Sequence, residues 1–382
     1  MRYPDSTGIR RHSCSMKTIE NIKAIIHLRE DRDNPVVGRF RGLAGKEIAE
    51  CGDEAAVASA VGSLKSRGIG SKEVVILKKF MGRMFQKCPG SPGMICCNYR
   101  LMNTGFNCLY DCTYCFLNSY LNSFGILQFI NTETMFREIE ESMLADRETI
   151  CRIGTGEFTD SLMFDEVTGI AASLIRKASR YGNLFLELKT KSNNIRHLLD
   201  IREKGNAVLA WTLNTRRNIE LYEAGTAPLE ERIEAAAAAC RAGFLTAFHF
   251  DPIILSNGWT GDYLDIVDRL FSRVDPGRVA WISMGCFRYS RGFKEIIRTA
   301  FPGQKITTAE MFPGPDAKYR YLKKMRADAY RSILGRIRSY TDRPFVYLCM
   351  ETAEMWRSVF SREYRESSDL ERDFNRHIKN YS

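Results

Sequence analysis

The sequence of 382 residues predicts an α/β protein built around a complete or partial (β/α) barrel. From Tyr99 onward, short apolar runs alternate with amphipathic stretches, which is typical of repeated parallel strand–helix units. Six or seven such units close most naturally into a barrel, although periodicity does not separate a barrel from a doubly wound open sheet. The apolar runs are Tyr99–Asn103, Ile126–Ile130, Ile150–Gly154, Leu184–Leu188, Ala207–Leu213, Leu245–Phe250 and Arg278–Met284.

Polar and reactive residues follow these runs at one shared position, directly after the end of each predicted strand. In a (β/α) barrel the functional groups gather at the carboxyl ends of the strands, so these residues predict one site on one face. Three cysteines follow the first run, and the polar segment 155–161 follows the third. The polar residues at the ends of the later runs are Lys189, Lys191, Thr212, Asn214, His249, Asp251, Cys286 and Arg288.

The flanking segments have a different rhythm and predict extensions on both sides of the barrel. We expect an N-terminal α/β extension over 1–98, the barrel over 99–300 and a basic C-terminal α/β extension over 301–382. Within the first extension the pattern predicts helices in 17–30 and 45–66 and a strand at Val74–Leu77. The segment 88–93, rich in proline and glycine, predicts a loop at the first boundary.

The composition indicates a protein of the cytoplasm. No apolar run is long enough for a membrane span, and the first residues lack the apolar core of a secretory signal. In a reducing compartment, twelve cysteines favour metal sites, catalytic thiols or buried thiols over disulfides. The net charge of +10 favours an anionic partner, DNA first, although such a charge also serves solubility.

The segment Lys318–Arg338 concentrates positive charge near the C-terminus. It holds eight Lys or Arg residues and one acid, Asp328, with Tyr319, Tyr321 and Tyr330 between them. Such a segment is typical of phosphate contacts and base stacking, and it is equally typical of a solvated helix face.

Three cysteines, Cys108, Cys112 and Cys115, form the most informative motif, with the spacing C-x3-C-x2-C. Cysteine thiolates are the usual ligands of iron–sulfur clusters, and three local thiolates leave one iron of a [4Fe–4S] cluster open for a cofactor or substrate. Zinc is the alternative, but it would require a fourth ligand at finger-like spacing.

This motif resembles the signature of the radical S-adenosylmethionine superfamily, and the stretch from Asn98 to Pro302 resembles the spore photoproduct lyase family. The matching pieces are Cys112-Thr-Tyr-Cys115-Phe-Leu-Asn, Leu188-Lys-Thr-Lys191, His197-Leu-Leu-Asp, Thr212-Leu-Asn214, Gly225-Thr-Ala-Pro-Leu-Glu-Glu-Arg, Ala242-Gly243-Phe244, Pro252-Ile253 and Gly258-Trp259. The resemblance implies a partial barrel, a [4Fe–4S] cluster, S-adenosylmethionine and an electron donor such as flavodoxin or ferredoxin. It also implies hydrogen abstraction from a UV-induced pyrimidine photoproduct in DNA.

The resemblance carries cofactor-binding roles to five residues. Lys191, Thr212 and Asn214 match positions that contact S-adenosylmethionine, and Thr159 falls where the family has a serine near the cofactor. Glu157, after Gly156, resembles the Gly-Glu element with which many members of the superfamily bind the methionyl amine.

The groups that return a hydrogen atom in the family are incomplete here. The family cysteine falls at Glu157, and of the two family tyrosines Tyr114 is present while Phe116 replaces the other. Tyr114 and Cys286 are therefore the candidate catalytic residues, with a buried core thiol as the alternative for Cys286.

Two further questions stay open in the sequence. Cys88, Cys96 and Cys97 either bind a second metal, together with Cys51 or Cys14, or line a loop near the first cluster. The function is either a radical enzyme acting on DNA, a radical enzyme with another substrate, or a non-enzymatic iron–sulfur or zinc protein that binds nucleic acid.

Overall fold

The computed structural model describes residues 15–120 and 124–381. The strands are β1 (Ala24–Leu28), β2 (Glu47–Cys51), β3 (Val74–Lys78), β4 (Phe85–Lys87), β5 (Arg100–Met102), β6 (Gly105–Phe106), β7 (Asp111–Cys112), β8 (Ile126–Phe129), β9 (Cys151–Gly154), β10 (Leu184–Thr190), β11 (Asn206–Thr212), β12 (Glu223–Ala224), β13 (Leu245–Ile253), β14 (Val279–Cys286), β15 (Arg288–Tyr289), β16 (Phe312–Pro313), β17 (Tyr319–Arg320) and β18 (Phe345–Leu348). The α-helices are α1 (Pro35–Arg41), α2 (Glu54–Ser66), α3 (Leu117–Tyr120), α4 (Thr132–Ala145), α5 (Asp165–Thr168), α6 (Ile170–Ala178), α7 (Arg216–Tyr222), α8 (Leu229–Arg241), α9 (Trp259–Phe271), α10 (Phe293–Ala300), α11 (Lys323–Tyr340), α12 (Ala353–Phe360) and α13 (Ser367–Ile378).

The larger sheet is a partial barrel, with strand order β18-β14-β13-β11-β10-β9-β5-β4. Its strands pair in parallel except at the antiparallel edge pair β4–β5. The parallel strands follow each other in chain order, without the reversal that a doubly wound sheet requires. The predicted partial (β/α) barrel is therefore confirmed, and the doubly wound alternative is wrong.

A backbone bridge joins the two edges of the barrel. Ile95, between β4 and β5, forms an antiparallel bridge with Glu351, which follows β18. The backbone N–H of Ile95 donates to the carbonyl oxygen of Glu351 at 2.9 Å. The bridge thus connects chain segments that are more than half of the sequence apart.

The smaller sheet has the order β2-β1-β3-β8-β6 and corrects the predictions for the N-terminal segment. Residues 24–28 form a strand rather than part of the helix predicted over 17–30, and a strand at 47–51 precedes the second predicted helix. The apolar run of β1 is buried against neighbours, and a short buried run does not distinguish strand from helix. The strand predicted at 74–77 is confirmed.

Both sheets take strands from across the predicted segment boundaries. The predicted barrel run at 126–130 forms β8, which pairs in parallel with β3 of the smaller sheet, so its assignment to the barrel is wrong. Conversely, β4 and β18 belong to the barrel sheet although they lie in the predicted extensions. Strand pairing depends on long-range contacts that local periodicity does not report.

Among the described residues, no helix combines the length and the apolar composition that crossing a membrane would require.

A network of buried polar side chains fills the interior of the barrel around Glu187. Its carboxylate accepts a hydrogen bond from the Tyr99 hydroxyl, contacts His249 Nε2 at 2.5 Å and accepts from Trp281 Nε1 at 3.1 Å. Burial opposes ionisation, but His249, the charge of Lys189 and the Tyr99 hydroxyl overcome it and lower the pKa of Glu187 to about 2. The carboxylate is therefore charged and fully paired inside the barrel.

Gly154, at the end of β9, makes room for this network. A Cβ atom at this position would lie 1.4 Å from the Tyr99 hydroxyl oxygen and 2.2 Å from Cζ. The tyrosine ring thus occupies the space that any side chain on residue 154 would need.

We expect Gly154→Ala to lower the free energy of unfolding by about 1–3 kcal/mol, because the added methyl group displaces Tyr99 from Glu187. Denaturant unfolding measures the change. Gly182→Ala is the matched control, since a Cβ there meets no atom within 4 Å. Equal stabilities of the two variants would contradict the close approach.

Candidate active site

The three motif cysteines lie in the loop that follows β5, the first parallel strand of the barrel in chain order. Cys112 belongs to β7, which pairs with β12, so the loop is attached to the barrel through Glu223 and Ala224. Asn118 supports the loop by donating to the carbonyl oxygen of Cys112 at 3.1 Å. The cysteines therefore lie at the carboxyl ends of the barrel strands, as the sequence predicts.

The donor chemistry of the three thiols fits an iron–sulfur cluster. All three pack against the apolar cluster between the barrel and the smaller sheet. Burial raises the pKa of Cys108 to about 12 and also raises that of Cys115, while the nearby backbone amides of Tyr110 and Leu117 oppose the rise. A bound cation is therefore needed to keep these sulfurs ionised.

The same thiols do not fit a zinc ion. Structural zinc requires four closely grouped ligands. Within residues 15–120 and 124–381, no three or more His, Cys, Asp and Glu side chains are grouped as ligands of one metal ion. A [4Fe–4S] cluster carries its own sulfides and can be held by three cysteine thiolates with one iron left open, whereas structural zinc takes four protein ligands.

Lys191 and Tyr114 lie beside the cysteine loop. The ammonium of Lys191 is 5.7 Å from the centre of the Tyr114 ring, and its charge favours ionisation of Cys112 and Cys115. The backbone N–H of Lys191 donates to Asp160 at 2.8 Å, which fixes the end of β10. A carboxylate bound near the cysteines would meet this ammonium.

Glu157 and Thr159 lie on the loop after β9. The charge of Glu157 acts on both Cys115 and Lys189, so this carboxylate lies on the same side of the barrel as the cysteines. Thr159 is buried, with its hydroxyl 3.8 Å from the sulfur of Met163.

Thr212 and Asn214 are engaged within the protein. The Asn214 oxygen accepts from Tyr263 at 2.8 Å and from Asn218 at 2.9 Å, and its amide reaches Glu223 at 3.3 Å. The carbonyl oxygen of Thr212 accepts from Arg232 at 2.9 Å. Both residues thereby fix the end of β11.

Sequence reasoning missed a fully buried ion pair, Glu223–Arg232, which connects these residues. Arg232 Nη2 lies 2.7 Å from Glu223, neither side chain is exposed, and the Tyr114 hydroxyl donates to the same carboxylate. Burial opposes ionisation of Glu223, but Arg232 and Lys191 lower its pKa below the ordinary value. The sequence signal for this pair was Arg232 itself, which precedes the alanine run of α8. An arginine on a helix that packs into the core is rarely buried without a charged partner.

An aromatic surface borders the cysteine loop. The Phe158 ring is stacked on Tyr120, with centres 6.2 Å apart and planes 27° apart, and lies edge-on to Phe116 at 6.2 Å. Phe116 is 42% exposed and Tyr120 is 69% exposed. We call these three residues the aromatic platform. Exposed rings beside a candidate site provide a stacking surface for a planar ligand.

Cys286 is buried at the end of β14, and its backbone N–H donates to the Tyr330 hydroxyl oxygen at 2.9 Å. Burial raises the pKa of its thiol to about 12, and the charged groups that act on it are Glu351, Arg326 and Arg288. The role of Cys286 in hydrogen transfer stays a prediction.

The basic segment 318–338 offers less free charge than its sequence indicates. Arg320, Arg326 and Arg336 form ion pairs with Asp316, Glu351 and Asp268, respectively. Tyr321 and Tyr330 are buried, so of the two interpretations of this segment, base stacking is not available to these two rings. Within the core, the Tyr321 hydroxyl oxygen accepts from the backbone N–H of Leu255 and the Tyr330 hydroxyl oxygen accepts from that of Cys286.

A partial (β/α) barrel with a C-x3-C-x2-C loop after its first parallel strand defines the radical S-adenosylmethionine class of proteins. The family model described as spore photoproduct lyase matches residues 96–327, which is more than half of the chain. The chain belongs to the spore photoproduct lyase family.

Individual relatives are distant. Spore photoproduct lyase of Bacillus subtilis is 24% identical over 206 residues, which are 53% of this chain and 60% of that protein. The lyase of Clostridium acetobutylicum is 22% identical over 270 residues, 70% of this chain and 74% of that protein. The aligned region thus spans about 60% of the length of the Bacillus relative.

Solved structures show the same fold. Spore photoproduct lyase complexed with dinucleoside spore photoproduct has a TM-score of 0.73 at 19% identity, covering 86% of this chain and 98% of that one. A variant of that lyase with bound AdoMet and the dinucleoside gives the same values.

We expect Glu223→Ala to lower the free energy of unfolding by about 3–5 kcal/mol, because it leaves the guanidinium of Arg232 buried and unpaired. Denaturant unfolding measures this loss. Glu230→Ala is the control: its ion pair with Arg216 is about half exposed, so a change below about 1 kcal/mol is expected. A loss of similar size in both variants would refute the buried pair as the cause.

Proposed function

We propose that this chain is a radical S-adenosylmethionine enzyme of the lyase type. Cys108, Cys112 and Cys115 would hold a [4Fe–4S] cluster, and the open iron would bind S-adenosylmethionine. When bound and reduced, these cofactors supply a 5′-deoxyadenosyl radical for hydrogen abstraction. The observation that carries the proposal is the group of three thiols on the loop after β5, one buried and two half-buried, beside Lys191, in a chain of this family.

The surrounding residues have complementary tasks in this proposal. Lys191 neutralises the carboxylate of the methionyl group, and Glu157 accepts a hydrogen bond from its amine. Thr159 supplies a hydroxyl from the loop after β9. Thr212 and Asn214 act through the backbone at the end of β11, because the side-chain oxygen of Asn214 already accepts from Tyr263 and Asn218.

The proposed substrate is a pyrimidine photoproduct in DNA. Two observations support a nucleic-acid ligand: the aromatic platform next to the cysteine loop and the net charge of +10. Bases stack on exposed aromatic rings, and positive charge attracts phosphates. The solved relative with bound dinucleoside spore photoproduct has the same fold. An electron donor such as flavodoxin or ferredoxin would reduce the cluster.

A second candidate is a radical enzyme of this class with a substrate other than the spore photoproduct. Glu157 and Phe116 occupy the positions of the family's hydrogen-returning cysteine and tyrosine, and neither offers an S–H or phenolic O–H bond. Tyr114 keeps its hydroxyl, which is hydrogen-bonded to Glu223. Return of hydrogen through Tyr114 or Cys286, or a reaction that needs no return, would account for these replacements.

We expect anaerobically reconstituted protein to release 5′-deoxyadenosine when it is reduced with S-adenosylmethionine, and Cys112→Ala to abolish the release, because one cluster ligand is lost. Chromatography of the nucleoside measures the product. Cys240→Ala, a cysteine on α8, should retain full release. Bound metal without release in the unmodified protein would leave a non-enzymatic metal protein and exclude this proposal.

We expect Phe158→Ala to weaken binding of a UV-irradiated thymine dinucleotide about tenfold, since stacking on one ring contributes about 1–3 kcal/mol. Fluorescence anisotropy of the labelled dinucleotide measures the affinity. Phe312→Ala removes an exposed ring from β16 and should not change binding. Unchanged affinity in Phe158→Ala would favour the candidate with a substrate other than DNA.

A further inference from the structure

Two lysines of the N-terminal segment contact the cysteine loop at Asp111, the residue directly before Cys112. The ammonium of Lys17 lies 2.5 Å from one carboxylate oxygen of Asp111, and the ammonium of Lys72 lies 3.0 Å from the other. Lys72 also donates to the backbone carbonyl oxygen of Tyr110. We call Lys17, Asp111 and Lys72 the loop clamp. Both lysines thus bind the stretch of chain between the first two motif cysteines.

Each lysine of the loop clamp is placed by its own part of the chain. The backbone N–H of Lys17 donates to the carbonyl oxygen of Gly225 at 2.8 Å. Gly225 has a φ of +82°, and a Cβ atom there would lie 2.9 Å from Cγ and Cδ of Lys17, so the lysine stem passes directly over this glycine. Lys72 belongs to the turn before β3. The two ammonium groups therefore reach the loop from segments that are far apart in the sequence.

The loop clamp is more enclosed than an ordinary surface ion pair. The exposed fractions of the side chains are 30% for Lys17, 33% for Asp111 and 22% for Lys72. The backbone of Asp111 also pairs with Ala224 in the β7–β12 ladder, so the carboxylate starts from a fixed position. Surface ion pairs contribute little because solvent screens them and their side chains are mobile, and both effects are reduced in the loop clamp.

The loop clamp leaves one positive charge beside the cysteine loop. Two ammonium groups face one carboxylate, and among the residues that the structure describes neither lysine forms an ion pair with a second carboxylate. The position of this charge follows from the covalent chain, because Asp111 is bonded to Cys112 and the carbonyl of Tyr110 is two residues from Cys108. The three motif cysteines themselves pack among apolar side chains, where charge is poorly screened.

We propose that the loop clamp positions the cysteine loop and raises the reduction potential of the [4Fe–4S] cluster assigned to it above, so that it rests on the proposed function for the identity of that cluster. Reduction brings in one electron from the donor and transfers no atom. It therefore adds one negative charge, which a nearby net positive charge stabilises. Net charge around a cluster is one of the factors that set its potential. Lys17, Asp111 and Lys72 are positioning residues and not ligands.

The first test measures the midpoint potential of the reconstituted cluster, by electron paramagnetic resonance during a redox titration without S-adenosylmethionine. Lys72→Met removes a positive charge and should lower the potential, whereas Lys72→Arg keeps the charge and should restore it. Asp111→Asn removes the negative charge but keeps an oxygen that accepts from the lysines, so it should raise the potential. Loosening of the loop alone would move Lys72→Met and Asp111→Asn in the same direction.

Lys78→Met is the matched control for this titration. Lys78 lies at the other end of β3, roughly 20 Å along the chain from Lys72, and also forms an ion pair, with Glu54 at 2.7 Å. At that separation its charge is screened, so the potential should equal that of the unmodified protein. An unchanged potential in Lys72→Met, or shifts of the same sign in Lys72→Met and Asp111→Asn, would overturn the proposal.

The second test needs no cluster and uses hydrogen exchange with mass spectrometry on metal-free protein. Lys72→Met should speed exchange in peptides covering residues 108–118 by about fivefold, the effect of losing an ion pair at the strong end of the usual range, while Lys72→Arg and Lys78→Met should match the unmodified protein. Unchanged exchange in Lys72→Met would overturn the positioning role. A protein that binds no cluster would contradict the proposed function, whereas exchange tests the loop clamp in either case.

Discussion

Buried carboxylates must be paired, and two of them organise the barrel around this requirement. Glu187 is paired with His249 and two neutral donors in the interior, and Glu223 is paired with Arg232 at the carboxyl ends of the strands. An unpaired charge in either place would cost several kcal/mol, so the partners are held in fixed positions. The strands that carry these partners are thereby fixed relative to one another.

The position of the cysteine loop follows from the second of these pairs. Glu223 accepts from Tyr114 within the loop, and its own strand pairs with Cys112. The loop is therefore attached to the barrel by a backbone ladder and a buried hydrogen bond at the same residue. Lys191, at the end of β10, completes the arrangement by bringing a positive charge beside the thiols. Residues of the cysteine motif supply ligands, but the barrel determines where they lie.

The sequence predicted the parts of this structure that depend on local pattern. The cysteine spacing identified the cysteine loop, and the alternation of apolar runs with amphipathic stretches identified the barrel. The helix predicted over 17–30 was wrong because Ala24–Leu28 is short, apolar and buried, a pattern shared by strands and core helices. The run at 126–130 was correctly predicted to be a strand. Its pairing with β3 depends on tertiary contacts, which the local sequence pattern does not report. Glu223 was not identified because a single glutamate carries no signal until Arg232 lies beside it.

The bridge between Ile95 and Glu351 has a consequence for the order of biosynthesis. The strand that precedes Glu351 is the last strand of the sheet to leave the ribosome, whereas the cysteine loop has its backbone partner once Glu223 and Ala224 have emerged. At common rates of translation the interval is on the order of ten seconds. During that time the two edges of the barrel sheet cannot yet be bridged, although every residue of the cysteine loop and its backbone partner has been made.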